Sequence, residues 1–129
     1  MQKRILIVNT DKKQCRELGE LIEKEHYSVL TLHSLQNLET RLEENNFQAV
    51  IIDIDTVPID NRTVRELTLK FPEVYFFCLS EKSFHPDLED AICYHIYACI
   101  NKPVDPDELF YFLRSIYENE SDPNNQFAE

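Results

Sequence analysis

Three side chains in this sequence have the chemistry to handle a phosphoryl group together: the carboxylate of Asp53, the hydroxyl of Ser80 and the ammonium of Lys102. Each closes a short, mostly apolar run. Asp53 follows Ala49-Val-Ile-Ile52, Ser80 follows Phe76-Phe-Cys-Leu79, and Lys102 follows Ala98-Cys-Ile-Asn101. A carboxylate can attack phosphorus as a nucleophile. An ammonium can pair with the phosphoryl oxygens, and a hydroxyl can donate to one of them. A magnesium ion held by nearby carboxylates would neutralise the charge that builds during transfer.

Such residues act together only if the fold gathers them. Two hydrophobic periods alternate along the chain. Arg4–Val8, Ser28–Leu32, Ala49–Ile52, Val74–Leu79 and Tyr97–Ile100 read as strands, the first as a continuous apolar run expected to be buried on both faces. Between them come helical stripes. Asp11 suits the cap of a helix carrying Cys15, Leu18, Leu21 and Ile22, and Ser34 that of one carrying Leu35, Leu38 and Leu42. Asn45-Asn46 can end the second helix through left-handed backbone. Asp60 suits a third cap, before Val64, Leu67 and Phe71, with Pro72 closing the helix. Pro86 opens a fourth helix with Leu88, Ala91 and Ile92. Asp105-Pro106-Asp107-Glu108 starts the fifth, lined by Leu109, Phe112, Leu113 and Ile116.

Five strands alternating with five helices predict an α/β fold with a doubly wound, five-stranded parallel sheet and helices on both faces. Right-handed crossovers give the order 2-1-3-4-5. Ligands in such sheets bind beyond the carboxyl ends of the strands. That edge collects Asn9-Thr10-Asp11, Asp53, Ser80 and Asn101-Lys102-Pro103. The single glycine, Gly19, falls inside the first helix, so Asn61 and His95 are expected to serve where a permissive backbone is needed.

The 129 residues suit one domain, expected over 1–118, with a polar tail or linker at 119–129. A net charge of −11 disfavours direct nucleic-acid binding, which relies on Lys and Arg to neutralise phosphates. No apolar run approaches the roughly 20 residues of a membrane helix, and the start has no signal-peptide pattern. A cytoplasmic chain without membrane partners is expected. Cys15, Cys78, Cys93 and Cys99 form no C-x-x-C pair and read as reduced packing residues. His26, His33, His85 and His95 lack ligand spacing, so a zinc site is not expected.

Over about residues 3–118 the sequence resembles the response-regulator receiver domain of two-component signalling. Asp53 after "AVII", Ser80 after "FFCL", Lys102-Pro103 after "ACIN" and "IDN" at Ile59–Asn61 carry the likeness. The resemblance implies a flavodoxin-like three-layer sandwich. It implies Asp53 as phosphoacceptor from a sensor histidine kinase or phosphotransfer protein, and Ser80 as the hydroxyl that follows the phosphoryl group. Lys102 becomes the pairing cation, with a cis bond before Pro103. A receiver of this kind is not an enzyme; it switches a surface for an output protein or a fused effector domain, and a homodimer is compatible with it.

The departures bear on the metal. The family's two acids after strand one fall on Asn9 and Thr10, leaving Asp11, which also suits a helix cap. Magnesium binding is therefore expected to be weak, through Asp53 with Asp11 and Asp55. Asp55 has open roles: to replace part of the lost carboxylate charge, or to pair with Lys82 or simply stay solvated. The strand-five switch aromatic falls on Cys99, with Tyr97 two residues earlier on the same face, and Phe110, Tyr111 and Tyr117 are candidates for a partner face on the last helix. Two other readings stand beside the phosphorylated receiver. One is a pseudo-receiver that keeps the fold as an interaction module without taking phosphate. The other is a phosphatase of the haloacid-dehalogenase type, which "IIDIDTV" at Ile51–Val57 resembles through its D-x-D pattern. Against the latter, two strand–helix units precede Asp53.

Overall fold

A computed structural model describes residues 3–82 and 96–121. Its elements are β1 (Arg4–Val8), α1 (Lys12–Glu23), β2 (Ser28–Leu32), α2 (Leu38–Glu44), β3 (Ala49–Asp53), α3 (Asn61–Lys70), β4 (Tyr75–Ser80), β5 (Ala98–Asn101) and α4 (Pro106–Ser121). The five strands form one sheet in the order β2-β1-β3-β4-β5. Every pairing is parallel. The expected architecture is present, with β4 and β5 each one residue later than the hydrophobic pattern suggests. The helix expected from Pro86 lies outside the described residues.

The period of two along each strand sorts the core into two layers. Ile5 and Ile7 of β1 join Cys15, Leu18 and Ile22 of α1 and Leu109, Leu113 and Ile116 of α4. Leu6 and Val8 face the other way, with Leu38 and Leu42 of α2 and Val64 and Leu67 of α3. Burying side chains of this size yields about 1.5–3 kcal/mol each, so the alternation dictates which helix covers which face. The central strand β3 is buried throughout and brings Asp53 with it.

Local chemistry explains the ends of the helices. Asp11 caps α1 by accepting from the backbone N–H groups of Lys13 and Gln14. Asp60 accepts from Thr63 N–H at the start of α3, and Asp105 from Asp107 N–H before α4. Three expectations need correction. Ser34 does not cap α2; its hydroxyl accepts from Gln36 N–H in a local turn, and the helix begins only at Leu38. Asn45 leaves α2 in extended, not left-handed, backbone. Among the described residues the positive φ falls on His26 (70°), where the chain leaves α1 for β2, while Asn61 is simply the first residue of α3 and His95 lies outside the described residues. α4 continues to Ser121, past the point where the sequence turns polar.

Candidate functional site

Three polar side chains are buried among the described residues: Asn9, Asp53 and Ser80. They stand at the carboxyl ends of β1, β3 and β4, the sheet edge where ligands bind in this architecture. Unpartnered polar groups there would each cost about 1–3 kcal/mol. None of the three is unpartnered.

Asp53 is 1% exposed and accepts four hydrogen bonds. Its Oδ1 takes the backbone N–H groups of Asp55 at 3.0 Å and Thr56 at 3.2 Å, both supplied by the turn that leaves β3. Its Oδ2 takes Lys102 Nζ at 2.8 Å and Asn9 Nδ2 at 3.1 Å. Lys102 reaches in from the end of β5, and its peptide bond to Pro103 is cis, as expected. Its ammonium also lies 3.2 Å from Asp55 Oδ2. Burial lowers the Lys102 pKa, but hydrogen bonds and charge from Asp53 and Asp55 outweigh it, and the net shift is upward.

Asp55 is the hub of the second half of the site. Its Oδ1 accepts from Ser80 Oγ at 2.8 Å and its Oδ2 from Glu81 N–H at 2.8 Å. Burial raises its pKa, yet the donors Glu81 N–H, Ser80 and Lys102 together pull it below the ordinary aspartate value. The partner expected for it, Lys82, is not the one it takes. Lys82 bonds through its backbone N–H to Ser80 Oγ, and the cation beside Asp55 is Lys102. Sequence spacing points to Lys82; the sheet edge brings Lys102.

Asn9 and Thr56 complete the arrangement. Asn9 Oδ1 accepts from Asp11 N–H at 2.8 Å and from Thr56 Oγ1 at 3.0 Å. Thr56 Oγ1 in turn accepts from Thr10 N–H at 3.2 Å. Thr56 has no motif to announce it, because its role depends on the loop after β3 folding back over β1.

The donor set does not fit a tightly held magnesium ion. Magnesium requires well-placed oxygens in octahedral geometry. Here Asn9 turns an N–H toward Asp53, and both carboxylates already accept protein donors on each oxygen. Asp11 spends its Oδ1 on the α1 cap. Among the described residues, no three His, Cys, Asp or Glu side chains are grouped to hold a metal.

Three outlying residues also differ from expectation. Tyr97 precedes β5 and packs its ring on Tyr75, Phe77 and Phe112, on the Ala98–Ile100 side of the sheet and not with Cys99. Phe110 is buried against Tyr27, whereas Tyr111 is 62% exposed. Cys15 and Cys78 are buried, as packing residues should be, but Cys99 is exposed.

The response regulator receiver domain model matches residues 5–114. The chain belongs to the receiver-domain family. The receiver is similar in structure to a CheY-like response regulator receiver domain protein from Methanospirillum hungatei JF-1, with TM-score 0.81, 20% identity, and 93% of this chain and 98% of that chain covered. A signal receiver domain of an HD domain-containing protein from Pseudomonas fluorescens Pf-5 gives TM-score 0.80 at 20% identity, over 92% of this chain and 89% of that chain. The beryllofluoride-activated NtrC4 receiver domain dimer gives TM-score 0.80 at 19% identity, over 93% of this chain and 100% of that one. At these identities the likeness shows the receiver fold alone. No curated protein matches the sequence at a significant level. No helix among the described residues is long and apolar enough to cross a membrane.

Proposed function

We propose that this receiver accepts a phosphoryl group on Asp53 from a sensor histidine kinase or phosphotransfer protein and thereby switches a surface for an output partner in the cytoplasm. One observation carries the reading: a buried carboxylate is held 2.8 Å from a lysine ammonium at the ligand-binding edge of the sheet. Oδ2 is the attacking oxygen, because its partners are side chains that can move, whereas Oδ1 is fixed by two backbone N–H groups. A new bond forms from Oδ2 to phosphorus as the bond from phosphorus to the donor histidine nitrogen breaks. The histidine departs with its electron pair and takes up a proton. Lys102 then pairs with the phosphoryl oxygens, Asn9 Nδ2 offers a neutral donor, and Ser80 Oγ leaves Asp55 to donate to phosphate. In this role the receiver is consumed as an acceptor, one group per site, and is not a turnover enzyme. Magnesium binds weakly, through Asp53 and Asp55, with Asp11 committed to its helix cap.

A second reading has its own support. Asn9 and Thr10 stand where the family carries two acids, and Asn9 turns a donor N–H toward Asp53, which suits a pseudo-receiver that keeps the fold purely as an interaction module. The D-x-D phosphatase reading gains nothing comparable, since Asp55 is engaged with Ser80 and Glu81. Acetyl phosphate with magnesium, followed by intact-mass measurement, separates the first two. Gain of one phosphoryl group, lost in Asp53→Asn, supports phosphorylation. An unchanged mass at every magnesium concentration leaves the interaction module. The same samples, passed over a sizing column, show whether a homodimer forms.

A further inference from the structure

Cys78 and Cys99 lie directly opposite one another in the register of β4 and β5. Adjacent strands are about 4.8 Å apart, inside the Cα separation of about 4.4–6.8 Å that a disulfide spans. The two Sγ atoms are 2.8 Å apart, so closing by less than about 1 Å reaches the bonding distance. The two thiols also differ in access. Cys78 is buried in the core beneath α3, while Cys99 is exposed on the edge strand.

We propose that Cys78 and Cys99 form a redox-active cross-strand dithiol, which closes to a disulfide when a hydroperoxide or a small-molecule disulfide reaches Cys99.

The division of labour follows from the environment. A hydrogen bond from Cys78 lowers the Cys99 pKa against the opposing effect of burial, so Cys99 is the thiol of the pair that ionises more readily. The same hydrogen bond, together with burial, pushes the Cys78 thiol up and keeps its proton on. With hydrogen peroxide, the Cys99 thiolate attacks one peroxide oxygen. The O–O bond breaks, hydroxide leaves and takes a proton to become water, and Cys99 becomes a sulfenic acid. Cys78 sulfur then attacks Cys99 sulfur. The S–O bond breaks, and the departing hydroxide takes the Cys78 proton as a second water. Two thiols lose two electrons and two protons, and one peroxide is reduced to two waters. A dithiol reductant reverses the result by exchange at the exposed sulfur, which is the labile position.

Cys15 does not compete. It is buried under α1 on the opposite face of the sheet, in the other core layer. The bond would tie the strand that ends in Ser80 to the strand that leads into Lys102, two rows from the site.

The full chain, reduced and then exposed to hydrogen peroxide, is alkylated to block free thiols and digested without reductant. The expected product is a Cys78–Cys99 linked peptide, with a mass loss of two hydrogens that dithiothreitol restores. Cys99→Ser should abolish both the link and the mass loss. Cys78→Ser should instead leave Cys99 as a sulfenic acid trapped by dimedone, and Cys15→Ser should change neither. Circular dichroism checks the fold of each variant, and the exposed Cys99→Ser keeps the test valid if the buried Cys78→Ser does not fold. A persistent Cys99 sulfenic acid in the unsubstituted protein, or a link from Cys99 to Cys93 or to a second molecule, would overturn the proposal.

Discussion

Replacing Lys102 with methionine tests the electrostatics of the site most directly. Methionine keeps much of the apolar stem and removes the ammonium. Lys102 has a side chain only 15% exposed and faces Asp53 at 2.8 Å and Asp55 at 3.2 Å. Removing one partner of a buried pair usually costs about 3–5 kcal/mol. Asp53 keeps its three remaining donors, Asn9 and the backbone N–H groups of Asp55 and Thr56. The expected loss for Lys102→Met at pH 7 is therefore about 2–3 kcal/mol, below the usual range. The pH dependence has a definite sign. Asp55 has a lowered pKa, so its contribution is complete above the ordinary aspartate value of about 3.9 and is lost as pH falls through its lower folded value. Lys102 has a raised pKa, so its contribution is complete below the ordinary lysine value of about 10.4 and is lost as pH rises through its higher folded value. The stability gap between native protein and variant should form a plateau between these limits and narrow beyond each. Urea unfolding followed by circular dichroism, repeated from acid to alkaline pH, measures it. A gap under about 0.5 kcal/mol at pH 7, the level of an exposed pair, would refute the assignment of Lys102 as a buried counter-ion. So would a gap that widens as Asp55 protonates.

Three further substitutions probe other parts of the chain. Thr10→Asp should bind magnesium at least about tenfold more tightly in calorimetry, because it restores a carboxylate where a neutral hydroxyl stands, and native binding as tight as the variant's would show that the resting site already holds the ion. Asp11→Ala should cost about 1 kcal/mol through the lost α1 cap, with magnesium affinity unchanged; a large drop in that affinity would identify Asp11 as a ligand. Gly19→Ala should stabilise the receiver by about 0.5–1 kcal/mol. A Cβ there would meet Val29 Cγ1 at 3.5 Å, ordinary van der Waals contact, so a lower melting temperature would show that α1 cannot sit at that distance from the sheet.

What the sequence made legible was governed by local physics. Arg4–Val8 reads as a buried strand because Ile5–Val8 has no polar interruption, and Asp11, Asp60 and Asp105 read as caps because capping acts over two or three residues. The alternation of strands and helices placed Asp53, Ser80 and Lys102 at one sheet edge, and the family resemblance added the cis bond before Pro103. The start of α2 was not legible, since Ser34 has two local uses and the turn, not the cap, is the one taken. His26 escaped notice because its positive φ is imposed by the exit from α1 rather than by its own preference. Asn9 looked like a loss of acidity, while its role as donor to Asp53 and acceptor from Thr56 depends on two loops meeting in space. The Asp55–Lys102 contact and the facing of Cys78 and Cys99 are likewise products of strand register, which no single segment encodes.

Asp55 gives the site a built-in competitor. Its two carboxylate oxygens hold Ser80 Oγ, Glu81 N–H and Lys102 Nζ, which are donors of the kind that phosphoryl oxygens attract. In the phosphorylation proposed above, an incoming phosphoryl group would meet an occupied receptor and have to displace a group of the same charge sign. One hydrogen bond to a charged group is worth about 1.5–3 kcal/mol, so freeing Ser80 alone would discount the capture of phosphate by roughly one to two powers of ten. Because Asp55 is tethered, the discount does not dilute away, and it returns as a restoring force whenever the phosphoryl group leaves. Under the proposed function, a receiver built this way would favour its resting state and answer only to a donor strong enough to displace its own side chain.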